Sequence, residues 1–429
     1  MVQEGASPAP SNAELPWWKK LGPGLITGAA DDDPSGIATY SQGGAQFGFN
    51  VAWTLLLTYP LMVAIQLASA RIGRVTGQGL TENFARFCPG WMVNGLVALL
   101  VLANVINIGA DLNAMGDSVA LVVGGFPWIY TVAFGVVSLL LQIYLPYDKY
   151  VRVLKWLTLS LLAYVGVAFA AHVDWMEAVR RTVLPSIQWS KEYVTTVVAI
   201  LGTTISPYLF FWQAAQEVEE IKRVAPDKPL RKAPDQAPSQ IRRLHIDTVV
   251  GMGFSNLIAF FMIVATAATL NANGTTNIET TAQAAEALKP IAGQFAFLLF
   301  AAGIVGTGLL ALPVLAGSAA YAVASLFKLR KGLDQPLAAA KPFYGILAAA
   351  MAIGLAISLS GLKPITALYW SAVINAVISV PIMIAVMLAS SRKETMRELV
   401  LPQLWKMLGW LATAAMAVAT VAMFWAMLS

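Results

Sequence analysis

Long apolar stretches separated by short polar segments dominate this sequence. A membrane-spanning α-helix needs roughly 20 mostly apolar residues, and eleven stretches approach or exceed that length. Only the first, third and sixth of them carry polar residues deep inside. The pattern therefore predicts eleven membrane-spanning helices, at residues 22–44, 50–70, 91–119, 127–147, 150–172, 194–217, 245–271, 293–325, 343–361, 364–390 and 404–428.

The composition supports a membrane protein and excludes several other classes. Of 429 residues, 58% are hydrophobic and 12% are charged, about half the charged fraction of soluble domains. These values exclude a soluble enzyme, a disordered chain and a nucleic-acid-binding protein. A single cysteine, Cys88, excludes a disulfide framework, and two histidines, His172 and His245, weigh against a multi-histidine metal centre. No nucleophile–base pair is apparent, so we expect neither an enzyme nor a bound cofactor.

The basic residues predict how the chain is oriented in the membrane. With the N-terminus in the cytoplasm, 23 of the 28 Lys and Arg residues fall in cytoplasmic segments. This bias is the positive-inside pattern, and an odd number of spans then places the C-terminus outside. Residues 1–15 are expected to form a disordered lead without a signal peptide, and residues 222–243 a flexible basic cytoplasmic loop. Residues 173–193 are expected to form an extracellular loop with an interfacial segment.

Three consecutive aspartates interrupt the first apolar stretch. Counted at about 1.5 Å per helical residue, Asp31, Asp32 and Asp33 fall near the middle of the bilayer. Ionisable residues at that depth are costly and are candidates for a functional site. Pro34 has no N–H group and disfavours helical backbone angles at Asp33. The sequence therefore predicts that the first helix breaks here and that the break lines a polar cavity.

A second break is predicted in the sixth stretch, where glycine and hydroxyl residues precede Pro207. Pro34 and Pro207 each lie in the first helix of a five-helix unit, and because five is odd the second unit is inverted. Inverted repeats with matching broken helices indicate a midplane site in a secondary transporter. We accordingly expect a first repeat at 16–172, a second at 194–390, and a loop with an eleventh helix at 391–429. The alternative, that both prolines only kink packed helices, is disfavoured by the midplane aspartates.

The residues at the two breaks resemble the Nramp family of divalent-metal transporters. The stretch LGPGLITGAADDDPSGIATYSQGGAQFGF is similar to the family's first helix, whose Asp-Pro-Gly-Asn motif reads DPSG at residues 33–36. The family's Met-Pro-His in the sixth helix reads SPY at residues 206–208. In span order the resemblance covers residues 17–390. It implies an all-α membrane protein with a LeuT-like inverted repeat of 5+5 helices, spans 1 and 6 broken, plus an eleventh helix.

The same resemblance implies which residues hold the metal. The carboxylate ligand would be Asp33, and the backbone carbonyls would come from Ala30 and Thr203. Ser206 stands in place of the family's methionine and is a candidate ligand. Gly36 stands in place of the asparagine, so we expect it to widen the site.

Further departures from the family concern its proton pathway. Tyr208 and Gln213 occupy the positions of two sixth-helix histidines, and Ala114 stands where an acidic residue follows Asp111 three positions later. This set of replacements is similar to the branch of Nramp-related magnesium transporters.

Several other polar residues have two interpretations. Asp31 and Asp32 are expected to surround the ligand or to attract cations in the cavity. Asp111 and Asn375 either line the cavity or make hydrogen bonds between helices, with the cavity favoured for Asp111. The acidic residues that end the sixth span are interpreted as a solvated helix end, or as an exit path for cations: Glu217, Glu219 and Glu220.

These observations predict a secondary transporter, an uncoupled uniporter, for divalent metal cations. Oxygen ligands and a widened site suit a largely hydrated Mg²⁺, with Mn²⁺ tolerated. The alternatives are a proton-coupled Mn²⁺/Fe²⁺ symporter, an amino-acid or other organic-solute symporter on the same fold, and a non-transporting scaffold. The expected partners are membrane lipid and divalent cations but no nucleic acid, and the protein is expected to be a monomer in a plasma or bacterial inner membrane.

Overall fold

The computed structural model describes residues 23–145, 157–224 and 227–428, and within these ranges the chain is helical without β-strands. The α-helices in chain order are α1 (Pro23–Asp31), α2 (Pro34–Phe47), α3 (Trp53–Thr76), α4 (Leu80–Phe84), α5 (Gly90–Val123), α6 (Pro127–Tyr144), α7 (Leu162–Ala170), α8 (Trp175–Val183), α9 (Lys191–Thr204), α10 (Pro207–Arg223), α11 (Ala237–Thr269), α12 (Thr281–Glu286), α13 (Lys289–Ala292), α14 (Ala296–Leu326), α15 (Lys341–Ser358), α16 (Pro364–Ser391), α17 (Lys393–Met396) and α18 (Gln403–Leu428).

Nine helical segments of the described ranges are long and apolar enough to cross a membrane. Two of the eleven predicted spans are not among them. The first is divided into α1 and α2, and the fifth lies partly outside the described residues. Its described part consists of a 3₁₀ turn, Leu157–Leu161, followed by α7. The segment Leu159–Ala170 counts as a span only together with Trp175–Val183, to which it is bent by 113°.

Glycines let each broken helix approach a neighbour at backbone distance. A Cβ added at Gly28 of α1 would lie 2.3 Å from the carbonyl oxygen of Gly251 in α11. A Cβ at Gly202 of α9 would lie 2.1 Å from the carbonyl oxygen of Ala372 in α16. No side chain fits at such distances, so the positions of both breaks depend on these small residues.

In the described residues of the basic segment, 222–224 and 227–243, helices and contacts with α3 are found instead of the flexible loop that was predicted. Helix α10 continues to Arg223. Helix α11 begins at Ala237, and Pro238 fits there because a proline is tolerated in the first turn of a helix. Between the two helices, the Leu230 amide donates to the Arg74 carbonyl at 3.2 Å, and the Arg231 amide donates to the Val75 carbonyl at 3.1 Å. This segment therefore packs on the end of α3.

Segments rich in lysine and arginine meet at one end of the bundle, which we call the basic end (residues 71–86, 222–243, 328–334 and 392–399). They are joined by contacts between distant parts of the chain: Lys331 with Glu82, Arg223 Nη2 with Asp334 Oδ2 at 2.9 Å, Arg397 Nη1 with the Arg231 carbonyl at 3.0 Å, and Arg71 Nε with the Leu399 carbonyl at 2.8 Å. Helix α10 ends at the basic end, and α9 begins at the opposite end of the bundle. The two breaks lie between these two ends.

Candidate metal-ion site

Asp33 lies in the interruption between α1 and α2, in an extended backbone conformation, with 1% of its surface exposed. Its Oδ1 accepts hydrogen bonds from Ser35 Oγ at 2.6 Å and from the Gly36 amide at 2.8 Å, which caps α2. Its Oδ2 accepts from Asn107 Nδ2 at 3.0 Å and from the Tyr208 hydroxyl at 3.1 Å. One buried carboxylate thus joins α2, α5 and α10.

The Tyr208 hydroxyl lies between two of the predicted ligands. It is 3.1 Å from Asp33 Oδ2 and 3.4 Å from the carbonyl oxygen of Ala30. A cation held by that carboxylate and carbonyl would occupy the region where the O–H group now points. Since a hydroxyl oxygen also has lone pairs, Tyr208 can turn and face the cation directly.

The second break presents hydroxyl and carbonyl oxygens. Ser206 immediately precedes α10, and its hydroxyl lies 2.8 Å from the Gly202 carbonyl and 2.9 Å from the Thr203 carbonyl, at the end of α9. The Thr203 hydroxyl is buried and has no hydrogen-bond partner among the described residues. Two predicted ligands, Thr203 and Ser206, therefore lie in contact with each other.

Gly36 does not open the space that was expected of it. A Cβ added there would lie 3.3 Å from Thr203 Oγ1 and 3.3 Å from the ring of Tyr40. The volume left by the missing asparagine side chain is already filled by these neighbours. In this conformation Gly36 brings the first break close to the second.

Asp31 and Asp32 face a different helix from Asp33. The hydroxyl of Ser255 on α11 lies 2.6 Å from Asp31 Oδ2 and 3.0 Å from Asp32 Oδ1. All three aspartate side chains are buried. A single hydroxyl proton serves only one carboxylate at a time, so Asp31 and Asp32 are incompletely satisfied beside the ligand position.

The polar stripe of α5 divides between cavity and packing. Asn104 donates to the Leu315 carbonyl and to Ser318 Oγ, both at 2.8 Å, which is a contact between helices. Asn107 instead contacts Asp33, and its Oδ1 accepts from Ser371 on α16 at 2.8 Å. Neither oxygen of the buried Asp111 carboxylate has a hydrogen-bond partner among the described residues.

Asn375 is buried one helical turn after Ser371 on α16, and neither of its side-chain polar atoms has a hydrogen-bond partner in the described ranges. The neighbouring residue Ala376 lies against Gly202, next to the second break. Asn375 is therefore an unsatisfied amide on the segment that packs against that break.

Gln213, at the position of a family histidine, makes no hydrogen bond to Asp33 among the described residues. Its Oε1 accepts from Gln66 on α3 at 2.9 Å, and its Nε2 donates to Thr248 on α11 at 3.0 Å. It lies more than one turn after Tyr208, on the side of the basic end, and joins α10 to two neighbours.

Two residues near the site were missed from the sequence, Ser255 and Ser371. Each is one of several hydroxyl residues in its helix, and a serine inside a helix can bond its own backbone as well as a neighbouring helix. The spacing of Ser371 and Asn375, four residues apart, was the one available signal that they share a helix face.

The donor set at the breaks contains one carboxylate and several neutral oxygens. No group of three or more His, Cys, Asp or Glu residues within the described ranges is arranged to hold a metal ion. The Met115 thioether lies against Gly308, and a Cβ added to Gly308 would be 2.4 Å from the sulfur and 3.3 Å from Pro34 Cγ at the first break. Carboxylate, carbonyl and hydroxyl oxygens suit hard cations such as Mg²⁺, Ca²⁺ and Mn²⁺.

A cavity of about 280 Å³ opens at the end opposite the basic end. Its lining combines amide, hydroxyl, charged and aromatic side chains from α2, α9, α16 and the segment before α12, among them Gln42, Gln46, Glu192, Thr195, Asn277 and Tyr369. The Gln42 carboxamide fastens this segment to α2 by accepting from the Ile278 amide at 2.8 Å.

Comparison with solved structures identifies the fold. The manganese transporter of Eremococcus coleocola aligns with a TM-score of 0.74 at 16% identity, covering 98% of this chain and 88% of that one. Mhp1, a nucleobase-cation-symport-1 family transporter in a closed conformation, aligns with a TM-score of 0.57 at 14% identity, covering 95% of this chain and 92% of that one. The predicted all-α, LeuT-like transporter fold is thereby confirmed.

Comparison of sequences identifies the family. The divalent metal cation transporter MntH of Caldanaerobacter subterraneus subsp. tengcongensis is 27% identical over 308 residues, which cover 68% of this chain and 67% of that protein. The MntH protein of Ralstonia nicotianae is 26% identical over 310 residues, covering 69% and 67%. A family model described as natural resistance-associated macrophage protein-like matches residues 24–426. Because this match includes both helix breaks and every membrane-spanning segment from α1 to α18, the protein belongs to the Nramp family.

Proposed function

We propose that this protein transports divalent metal cations across a membrane, carrying Mg²⁺ and tolerating Mn²⁺. The observation that carries the proposal is the donor set around Asp33: one buried carboxylate, the carbonyls of Ala30 and Thr203, and the hydroxyls of Tyr208 and Ser206. The MntH relatives are divalent metal cation transporters by name, and the Eremococcus protein is a manganese transporter by name. A weak set of oxygen donors suits an ion that keeps part of its water shell.

The ion is expected to replace hydrogen-bond donors one by one. Without an ion, Asn107 and Tyr208 donate hydrogen bonds to Asp33 Oδ2, and an arriving cation would bind that oxygen in their place. Retained water molecules would fill the remaining coordination positions, since Asp33 is the one carboxylate of the proposed donor set. Modest affinity follows, and modest affinity favours release on the other side.

Transport is expected to follow the electrochemical gradient of the ion alone. Tyr208 and Gln213 are committed to contacts with Asp33, Gln66 and Thr248, and glutamine does not titrate. Neither forms a relay that carries protons away from the site. A membrane potential of 100 mV, negative inside, would drive entry of a divalent cation with about 4.6 kcal/mol.

The proposal is tested by ion flux into liposomes that contain the purified protein. We expect Mg²⁺ and Mn²⁺ entry driven by a potassium-diffusion potential, without acidification of a trapped pH-sensitive dye. The matched control is Asp33→Asn, which keeps the size of the side chain but removes its charge and replaces one acceptor oxygen by an NH2 donor. Entry that is equal in the wild type and in Asp33→Asn contradicts the site. Acidification that accompanies metal entry and disappears in Asp33→Asn contradicts uncoupled transport.

One observation favours proton-coupled Mn²⁺ transport as a second candidate. Both oxygens of Asp111 are buried without a partner among the described residues, and an unpaired buried carboxylate is a natural place for a proton. In that case Asp111→Asn would abolish the dye signal while metal binding persists. With uncoupled transport, Asp111→Asn leaves the proton readout flat.

We further propose that the basic end faces the cytoplasm and that the monomer is the functional unit. The gathering of segments 71–86, 222–243, 328–334 and 392–399 at one end supports this orientation, since positive residues are retained on the cytoplasmic side. A plasma membrane or bacterial inner membrane is the matching location.

A further inference from the structure

A cluster of ion pairs is buried at the basic end of the bundle. Arg243 on α11 lies 2.8 Å from Glu217 Oε2 through Nη2 and 2.9 Å from Glu220 Oε2 through Nη1. Arg74 on α3 lies 4.0 Å from each of these carboxylates and also pairs with Asp227. The side chains of Arg74 and Glu217 are 0% exposed. This ion-pair cluster joins α3, α10, α11 and the segment before α11, and Glu217 is not the solvated helix end that was predicted.

Helix α1 is attached to the same place. The Gly24 amide, in the first turn of α1, donates to Asp247 Oδ2 at 2.7 Å. Asp247 lies on α11 one turn after Arg243 and is 1% exposed. An amide in the first helical turn has no partner within its helix, so this carboxylate satisfies it and favours the positive end of the helix dipole. The N-terminal half of the broken helix is thus held to α11.

The ion-pair cluster lies on the route from the site to the basic end. Helix α10 runs from Pro207, beside Asp33, to Arg223 at the basic end. Along it, Gln213 contacts α3 and α11 first, and Glu217 contacts the same two helices one turn later. Two successive layers of polar contacts therefore join α10 to α3 and α11 between the site and the basic end.

We propose that the ion-pair cluster is the latch of a gate, which must open before an ion bound at Asp33 leaves through the basic end. The inference rests on the proposed transport function, because it concerns the exit of the transported ion. Buried ion pairs suit a latch: while it is closed the opposite charges stabilise one another, and water that enters can bind the polar atoms that have no hydrogen-bond partner among the described residues, such as Arg74 Nη1 and Glu217 Oε1. A packed interface of this kind has discrete closed and open arrangements instead of a continuum.

The latch can be tested by the chemical accessibility of a residue behind it. Ser69 on α3 is 0% exposed and lies three residues after Gln66 and four before Gly73, on the helix face that packs against α10. Cys88 is the one cysteine of the chain, so Ser69→Cys in a Cys88→Ser background gives a single thiol. The probe is a positively charged methanethiosulfonate reagent applied to the full-length protein in detergent, without metal.

Opening the latch should expose this thiol. We expect Arg243→Gln to accelerate labelling about tenfold or more, because it removes the nearer charge partner of the buried Glu217 and leaves only the more distant Arg74. Arg242→Gln is the matched control, since Arg242 is the preceding residue on α11 and is exposed. The conservative change Arg243→Lys, which keeps a positive charge beside Glu217 and Glu220, should keep labelling slow. Unchanged labelling in Arg243→Gln, or equal acceleration in Arg242→Gln, overturns the latch.

Two further measurements distinguish an open latch from a misfolded variant, and a failure of the latch proposal from a failure of the transport proposal. Size-exclusion chromatography and Mn²⁺ binding of Arg243→Gln report whether the variant is folded, and a folded variant in which the introduced thiol stays protected counts against the proposal. If Arg243→Gln does not fold, Glu220→Gln decides, because it removes one of the two carboxylates that Arg243 contacts, and unchanged labelling in a folded form of it overturns the latch. If the wild type transports no metal but the variants are labelled as the latch predicts, the transport proposal is refuted and the latch is not.

Discussion

At the scale of single residues, Asp33 is distinguished from its neighbours by what it contacts. Asp33 faces Tyr208 and Asn107, whereas Asp31 and Asp32 face Ser255 on another helix. Three adjacent carboxylates therefore occupy two environments, because consecutive residues of a helix differ by about 100° in direction and the break adds a further turn of the backbone. Only one of these environments includes the second break.

Replacing Asp33 should abolish metal binding. In Asp33→Ala the carboxylate ligand is lost, and we expect Mn²⁺ and Mg²⁺ binding by calorimetry to fall below detection while expression is unchanged. Asp31→Ala and Asp32→Ala should weaken binding less, since their carboxylates bond Ser255. An equal loss in all three variants would contradict the assignment of Asp33 as the ligand.

Sulfur placed at the second break should change the selectivity. Ser206 lies against the Thr203 carbonyl, and Ser206→Met brings a thioether to that point, which favours softer ions. Uptake assays should show a shift of preference from Mg²⁺ towards Cd²⁺. Ser206→Leu, of similar volume without sulfur, controls for the change in packing and should gain no Cd²⁺ preference. Adding Gly36→Asn is not advisable, because Thr203 and Tyr40 fill that space.

At the scale of elements, α1 packs closely on α11 because Gly28 has no side chain. Gly28→Ala would place a Cβ 2.3 Å from the Gly251 carbonyl oxygen, so the two helices must move apart. Overpacking of this kind costs about 1–3 kcal/mol, and the thermal unfolding midpoint in detergent should fall. Gly95→Ala is the control, because nothing lies within 4 Å of its added Cβ. A lower midpoint in the control than in Gly28→Ala would contradict this packing.

Local chemistry predicted the interruptions, and tertiary contacts decided the rest. Pro34 and Pro207 each begin a helix immediately after a break, as their missing N–H groups require. The burial of Glu217 was not predictable, because its partners Arg74 and Arg243 lie far away in the sequence. For the same reason the segment 222–243 looked like a linker: its prolines were visible, but its contacts with α3 were not.

At the scale of the whole molecule, orientation is the main quantity still to be measured. Asp235 is exposed at the basic end, and Thr276 is exposed at the opposite end. In a Cys88→Ser background, Thr276→Cys should react with a membrane-impermeant maleimide on intact cells. Asp235→Cys should react only after permeabilisation. The reverse pattern would invert the proposed topology.

The four hydrogen bonds to Asp33 have a consequence for the return step of the transport cycle. A carrier that works without a counter-ion must reorient empty, and a bare carboxylate would hold it back in the membrane interior. Here Ser35, Gly36, Asn107 and Tyr208 supply donors in the absence of any ion. In the unloaded protein these donors take the place of the ion at Asp33. Net flux should therefore be as fast with no metal on the receiving side as with metal present there.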